Sequence, residues 1–377
     1  MSFGPEPCAI ELGALNVIIG PNGSGKSNLI EVINLMRATP KDLREVARRS
    51  GGAMEWIWKG LPQNVADVAL VFASEANKFD WLKHQLIFWG EARGFSIYSE
   101  EINAEWTKGN RAQLFKSELF EKTVILARKK DRTYEVEEID TEDNQSILAQ
   151  RRDPDVYFWL SWMAQRYERI RLYREWTFGR NAIFRTPQSA DMRNDVLEED
   201  FSNLGLFLNR LRIKFPAVKR AIITALQDLY DGITDFEISV EGGTVQVFFM
   251  EGDFVIPATR LSDGTLRYLC LLAILCDPEP PPLVCLEEPE LGLHPDILPK
   301  IADLMAAFSQ RAQLIVTTHS DVLIDAMTDR PESVLVCEKH EGKTTFQRLQ
   351  QDELQDWLKQ YRLGEIWTKG LIGGTRW

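Results

Sequence analysis

The sequence predicts an α/β protein with a parallel core in two halves, interrupted by an antiparallel flank and a helical insertion. Three observations lead there. Leu15–Ile19 is a short apolar run that ends at a glycine-rich turn and is followed by helical spacing through Leu29, Ile30, Ile33 and Met36. Between Val65 and Val136 the apolar residues alternate in short runs, as in a meander of strands. From Leu261 to Cys337 apolar strand candidates and helical stretches take turns, the pattern of strand–helix units over a parallel sheet.

The elements follow in order. The first core half is assigned to residues 1–75 and the second to 255–340. Strand candidates at 68–72, 85–89, 95–98 and 122–127 place an antiparallel β flank over 76–145. Helical periodicity then predicts an inserted subdomain over 146–235, broken near Thr186-Pro187. Phe236–Val240 and Thr244–Met250 flank Glu241-Gly-Gly243, which predicts a hairpin over 236–254. Leu283–Leu286 and Leu314–Thr317 are the strands of the second half, and 341–377 is a tail with Trp357, Tyr361, Trp367 and Trp377, expected to pack on the core or on a partner.

Composition narrows the class. Of 377 residues, 44% are hydrophobic and 27% charged, enough for a packed core. No apolar run is long enough to cross a bilayer, and Met1–Ile10 lacks a basic segment before an apolar stretch, so the expected location is the cytoplasm, without membrane contact. Cys8, Cys270, Cys276, Cys285 and Cys337 have no metal-ligand spacing and read as small hydrophobes. The net charge of −12 means that any nucleic-acid contact must use a local patch or a partner.

Gly20-Pro21-Asn22-Gly23-Ser24-Gly25-Lys26-Ser27 fits the phosphate-loop pattern in full. Its backbone N–H groups and the helix start beyond it, with Asn28, form an anion cradle. Lys26 reaches the outer phosphates and the Ser27 hydroxyl serves Mg²⁺. Leu283–Leu286 runs into Glu287-Glu288, where a metal-directed acid and a general base belong. Glu287 is assigned to the metal and Glu288 to the attacking water; alone, such a pair is as readily a solvated acidic loop. Ser262-Asp263-Gly264 follows Leu261 at a helix start; Ser262 or Asp263 caps the helix, and the same turn can bind a phosphate. Thr317-Thr318-His319-Ser320 puts a histidine at a strand end.

Together these segments, in this order, resemble the non-transporter ABC ATPases of the RecF, SMC and OLD group, and within it the AAA-type, OLD-related branch. Leu261-Ser-Asp-Gly-Thr-Leu-Arg267, Glu288-Pro-Glu-Leu-Gly-Leu-His-Pro295, Asp200–Leu208 and Leu363–Trp377 carry the closer likeness. The resemblance implies a P-loop ABC-type ATPase head that binds ATP and Mg²⁺ and hydrolyses ATP. It implies a signature turn at Ser262, Asp263 and Gly264 that contacts the γ-phosphate held by a second copy, with catalytic roles for Lys26, Glu288 and His319. Asp263 and Thr265 depart from the usual LSGGQ signature, and Glu287 stands where Asp is usual. His294 is expected at the seam between copies or in a local structural role. The family's glutamine ligand to the metal falls on Gln63, with Gln85 as the alternative.

The implied partner is first a second copy, in a homodimer or higher oligomer. Residues 338–377 are too few for the nuclease domain of OLD-type proteins, so an effector such as a nuclease or toxin is expected on another chain, in a DNA-directed or antiphage-defence role. A RecF-like DNA-repair ATPase and a slowly hydrolysing scaffold are the alternatives. Arg151, Arg152, Arg166, Arg169, Arg171, Arg174, Arg180 and Arg185 interleave with aromatic residues, which reads either as a nucleic-acid face or as an amphipathic helix with paired charges.

Overall fold

The computed structural model describes residues 1–60, 65–73, 79–91, 94–106, 110–119, 121–130, 133–176, 179 and 182–374. Gln63, Arg180 and Trp377 lie outside the described residues. The chain divides into two compact units: Met1–Cys8, Ser27–Ile170 and Lys339–Thr344 in one, and Ala9–Lys26, Arg171–Glu338 and Thr345–Trp377 in the other.

In chain order, β1 (Leu15–Ile19) of the second unit leads into α1 (Lys26–Ala38), which clusters with the first unit from Ser27 onward. Leu29, Ile30, Ile33 and Met36 are buried, as the helical spacing predicts. Helix α2 (Leu43–Arg49) starts at Asp42, whose carboxylate accepts from Arg44 N.

Six strands of the first unit then pair antiparallel in sequence order: β2 (Val65–Ala73), β3 (Trp81–Glu91), β4 (Gly94–Trp106), β5 (Asn110–Glu118), β6 (Thr123–Arg128) and β7 (Tyr134–Ile139). Helices α3 (Ile147–Gln150) and α4 (Phe158–Arg169) follow. Trp159 and Trp162 of α4 meet Phe79 edge to face at 5.8 and 5.4 Å. One polar network is buried there. Glu100 accepts from Ser146 Oγ at 2.5 Å and Ile147 N at 2.9 Å, and its other contact is His84 Nε2 at 2.9 Å. His84 Nδ1 lies 3.1 Å from the Tyr167 hydroxyl. Every member has a partner, the condition on which a buried carboxylate is tolerated.

The second unit resumes with β8 (Arg171–Tyr173), β9 (Gln188–Ser189), α5 (Leu204–Lys214), α6 (Pro216–Leu229), β10 (Ile233–Glu241), β11 (Thr244–Glu251) and β12 (Phe254–Pro257). The predicted hairpin is β10–β11, with Glu241 opposite Thr244 and both Gly242 and Gly243 at positive φ, the two-residue turn that glycine permits without strain. Then come α7 (Asp263–Leu275), β13 (Leu283–Glu287), α8 (Leu298–Ser309), β14 (Gln313–Thr317), α9 (Asp321–Asp325), β15 (Val334–His340), β16 (Lys343–Arg348), α10 (Gln351–Leu358) and α11 (Leu363–Thr368).

The central sheet has the order β16-β15-β1-β14-β13-β8, and β15, β1, β14, β13 and β8 run parallel. Its middle strands are mostly apolar, as strands covered on both faces tend to be: Val17, Ile18, Val284, Leu286, Leu314 and Val316 have no exposed surface, and the one polar residue inside β1, Asn16, is hydrogen-bonded to Leu314 O. Helical periodicity missed β8, which lies within the predicted helical stretch. Three residues are too few to show a period, and Arg171, Leu172 and Tyr173 are all buried because they add an edge strand to β13.

Candidate functional site: a phosphate loop, an acidic strand end and a histidine on one sheet edge

The registers set the site. Ile18 of β1 pairs with Thr317 of β14, and Thr317 pairs with Glu287 of β13. Three adjacent parallel strands therefore end together, and the loops beyond them carry Gly20–Lys26, Glu288 and His319. In open parallel sheets, the carboxyl ends of the strands are where ligands bind.

Gly20 leaves β1 at φ +150°, and a Cβ there would stand 2.1 Å from the Cys337 carbonyl oxygen. Only glycine fits where the loop crosses β15. Gly23 and Gly25 also have positive φ. The Lys26 ammonium donates to the carbonyls of Gly20, at 2.7 Å, and Pro21, at 3.1 Å, so it is turned across the mouth of its own loop. Pro21, Asn22, Ser24 and Gly25 complete the turn; Ser27 and Asn28 follow Lys26 directly as the next residues of α1.

Glu288 has φ +46°, a left-handed conformation that costs a non-glycine residue energy and that concentrates at functional sites. Its backbone is pinned on both sides: its N–H donates to Thr317 O at 2.9 Å, and its carbonyl accepts from Arg267 Nη2 at 2.7 Å. Glu288 Oε1 lies 3.7 Å from His319 Nε2, with both side chains about one-third exposed. His319 is fixed in turn by Glu290, whose Oε1 accepts from His319 N at 2.8 Å and from Thr318 Oγ1 at 2.7 Å. Burial raises the Glu290 carboxyl above its ordinary range, opposed by those two hydrogen bonds.

A raised folded-state pKa means that protonation of Glu290 favours the fold: the contribution is present in acid and is lost as pH rises through the folded value. Glu290→Gln keeps an acceptor for both donors and removes the titration. The stability of wild type relative to this variant is expected to fall as pH rises from about 4 toward neutrality. Parallel melting curves at several pH values measure it; a difference flat with pH refutes the assignment.

The signature turn is held by a device that the motif does not show. Ser262 caps α7, accepting from Thr265 N at 3.0 Å, whereas Asp263 is the first helical residue. Asp263 pairs with Arg185 at 2.5 Å and accepts from Gly179 N at 3.2 Å. Arg185 also donates to Leu261 O at 2.7 Å. The Arg185 hydrogen bond holds the Asp263 carboxyl below its usual range. This partner neutralises the acid at the start of α7. A Cβ on Gly264 would come 3.0 Å from Gly292 O, which keeps the two loops in close contact. His294 is exposed and caps a short turn, with its Nδ1 3.4 Å from Asp296 N. An open cleft of about 770 Å³ is lined here by Ser262, Gly264, Gly292 and His294, and by no residue of the phosphate loop.

Sequence reasoning missed the supports. Arg174 and Trp176 lay inside the arginine- and aromatic-rich run. The structure scatters that run: Arg152 pairs with Glu168 at 3.5 Å, Arg166 lies over the Trp162 ring, Arg174 meets Glu287 and Arg185 meets Asp263. Gln85, the alternative for the metal-directed glutamine, is on β3 of the first unit and donates to Asp67 at 2.9 Å. Cys270, Cys285 and Cys337 are buried, and no group of three or more His, Cys, Asp or Glu able to hold a metal occurs among the described residues. Within the same limit, no helix is long and apolar enough to cross a membrane.

The fold is similar to that of SMC head domains. An SMC head bound to the C-terminal winged-helix domain of ScpA superposes with a TM-score of 0.57 at 17% identity, covering 93% of this chain and 96% of that one. An SMC head with an extended coiled coil, bound to the C-terminal domain of ScpA and derived from Pyrococcus furiosus, gives 0.56 at 15%, covering 95% and 96%. A third, from Pyrococcus yayanosii, gives 0.51 at 13%, covering 95% and 97%. No curated protein matches. Residues 15–85 and 155–325, well over half of the chain, match the family described as "AAA domain, putative AbiEii toxin, Type IV TA system". The fold is therefore a P-loop, ABC-type ATPase fold, and the chain belongs to this AAA-domain family.

Proposed function

We propose that this chain is a Mg²⁺-dependent ATPase head, two copies of which sandwich ATP and use binding and hydrolysis to switch assembly state. The observation that carries the reading is the placement of two half-sites. The strand ends of β1, β13 and β14 gather Lys26, Glu287, Glu288 and His319, while Ser262 and Gly264 line an open cleft in which the chain's own phosphate loop has no part. A second copy supplies the missing half.

In this reading the phosphate loop binds the triphosphate and Lys26 turns from its own carbonyls to the outer phosphates. Glu287 and Ser27 are the ligands for Mg²⁺, which, when bound, neutralises charge developing on the phosphates. Glu288 accepts a proton from the attacking water, and His319 donates toward the γ-phosphate. The chemistry rests on position and charge.

The output reaches another chain, as a regulated effector in a DNA-directed or defence process. Two observations support this over direct DNA binding. Arg174 and Arg185 pair with Glu287 and Asp263, and Arg166 lies over the Trp162 ring, so these cations serve contacts within the chain. Two of the similar heads are themselves bound to a domain of another protein, ScpA.

The test is mass in solution by light scattering with and without Mg²⁺ and ATP, beside binding of a fluorescent ATP analogue. Lys26→Ala is expected to weaken nucleotide binding by about 30-fold or more, because it removes a charge-assisted contact at the phosphates, and to abolish any ATP-dependent rise in mass. Equal binding by the variant and wild type overturns the reading.

A further inference from the structure

Glu287 ends β13, and its carboxylate is already engaged. Arg174 Nε donates to Glu287 Oε2 at 2.6 Å. The position is built in: Tyr173, the last residue of β8, pairs in register with Leu286, which brings Arg174, just beyond β8, beside Glu287. Their side chains keep 25% and 16% of their exposure, so the pair is accessible to a small ion.

The strap behind the pair is firm. Trp176 Nε1 donates to Glu287 O at 2.8 Å, and its ring stacks on Phe201 at 5.4 Å. The Arg267 guanidinium lies 4.3 Å from the Trp176 ring centroid while Nη2 holds Glu288 O. Burial draws the Arg267 guanidinium down to about 10, still protonated at neutral pH. The backbone of both acids is thereby fixed without help from the Arg174 side chain.

The donors present fit Mg²⁺. This ion takes one or two carboxylates, phosphate oxygens and water rather than an all-protein cage, and no such cage occurs among the described residues. An arginine on the carboxylate that serves the ion competes for the same lone pairs.

We propose that Arg174 is a metal gate: it occupies Glu287 in the nucleotide-free head and yields that carboxylate when a divalent cation arrives with ATP. Metal alone is held weakly, and phosphate oxygens tip the exchange. The proposal rests on the reading above, in which Glu287 serves the metal.

The experiment titrates Mn²⁺ into wild type, Arg174→Gln, Arg174→Met and Glu287→Gln, each with a non-hydrolysable ATP analogue. Free Mn²⁺ is read by electron paramagnetic resonance, and folding is checked by circular dichroism. Arg174→Gln is expected to bind Mn²⁺ about fivefold or more tightly than wild type, because a neutral side chain no longer competes. Unchanged or weaker binding overturns the gate; weaker binding would make Arg174 a group that orients Glu287 for the metal. If the glutamine variant does not fold, Arg174→Met, which is also neutral, carries the test, with binding tighter than wild type expected and equal or weaker binding overturning the gate. Glu287→Gln separates the two claims. If it leaves Mn²⁺ binding intact, Glu287 is not the metal carboxylate, and the gate falls with that assignment. If it weakens binding while Arg174→Gln does not tighten it, only the gate falls.

Discussion

Glu288→Gln is expected to slow ATP turnover by about 10²–10⁴-fold while nucleotide binding persists. The substitution is nearly isosteric, and what positions residue 288 is backbone: its N–H on Thr317 O, its carbonyl on Arg267 and its left-handed φ. None of these needs the charge. What disappears is the carboxylate proposed as the proton acceptor, beside His319. With hydrolysis blocked and the phosphate loop intact, Mg²⁺ and ATP should hold two copies together. Phosphate release gives the rate, and mass in solution gives the trapped assembly. Turnover within threefold of wild type would remove Glu288 from the role of general base.

Gly20→Ala should be among the most damaging small substitutions at the described residues. A methyl group there must occupy a point 2.1 Å from the Cys337 carbonyl oxygen, at a φ of +150°. Backbone lies on both sides, so relief requires β1 and β15 to part, and those strands pair through Val17, Ile18 and Ile19. We expect a loss of about 3–5 kcal/mol and of nucleotide binding. Gly23→Ala is the matched control. Its φ is +78° but nothing lies within 4 Å of an added Cβ, so the cost should be about 1–2 kcal/mol. Melting temperatures of the two variants decide it; equal losses would mean that φ alone, without the crowding against Cys337, sets the requirement for glycine.

The motifs were legible in the sequence because each is local. A phosphate loop needs its glycines, lysine and serine within eight consecutive residues, and an apolar strand ending in Glu287-Glu288 is continuous in sequence. The hairpin at Gly242-Gly243 announced itself for the same reason. The supports are non-local. Arg174 reaches Glu287, and Arg185 reaches Asp263, only because β8 adds to the far edge of the central sheet and the following segment passes the start of α7. Nothing in the spacing of arginines separates these two from Arg152, which pairs with Glu168. Glu290 was in view as part of Glu288–Pro295, but its hold on His319 joins loops from two different strands.

The place of β1 has a consequence for synthesis. The first strand in chain order among the described residues lies in the middle of the central sheet, and both of its neighbours, β14 and β15, are made only after residue 312. Gly374 then donates to Glu338 at 2.8 Å, and its carbonyl accepts from Trp367 Nε1 at 3.2 Å. A Cβ on Gly374 would come within 3.4 Å of Gly20 Cα, so this closing turn lies against the phosphate loop itself. Until β14 and β15 are made, the nascent chain carries a mostly apolar strand without its sheet neighbours, the condition under which edges mispair. Leu15–Lys26 therefore becomes a closed loop only when β14, β15 and the turn at Gly374, all distant in sequence, have come to it.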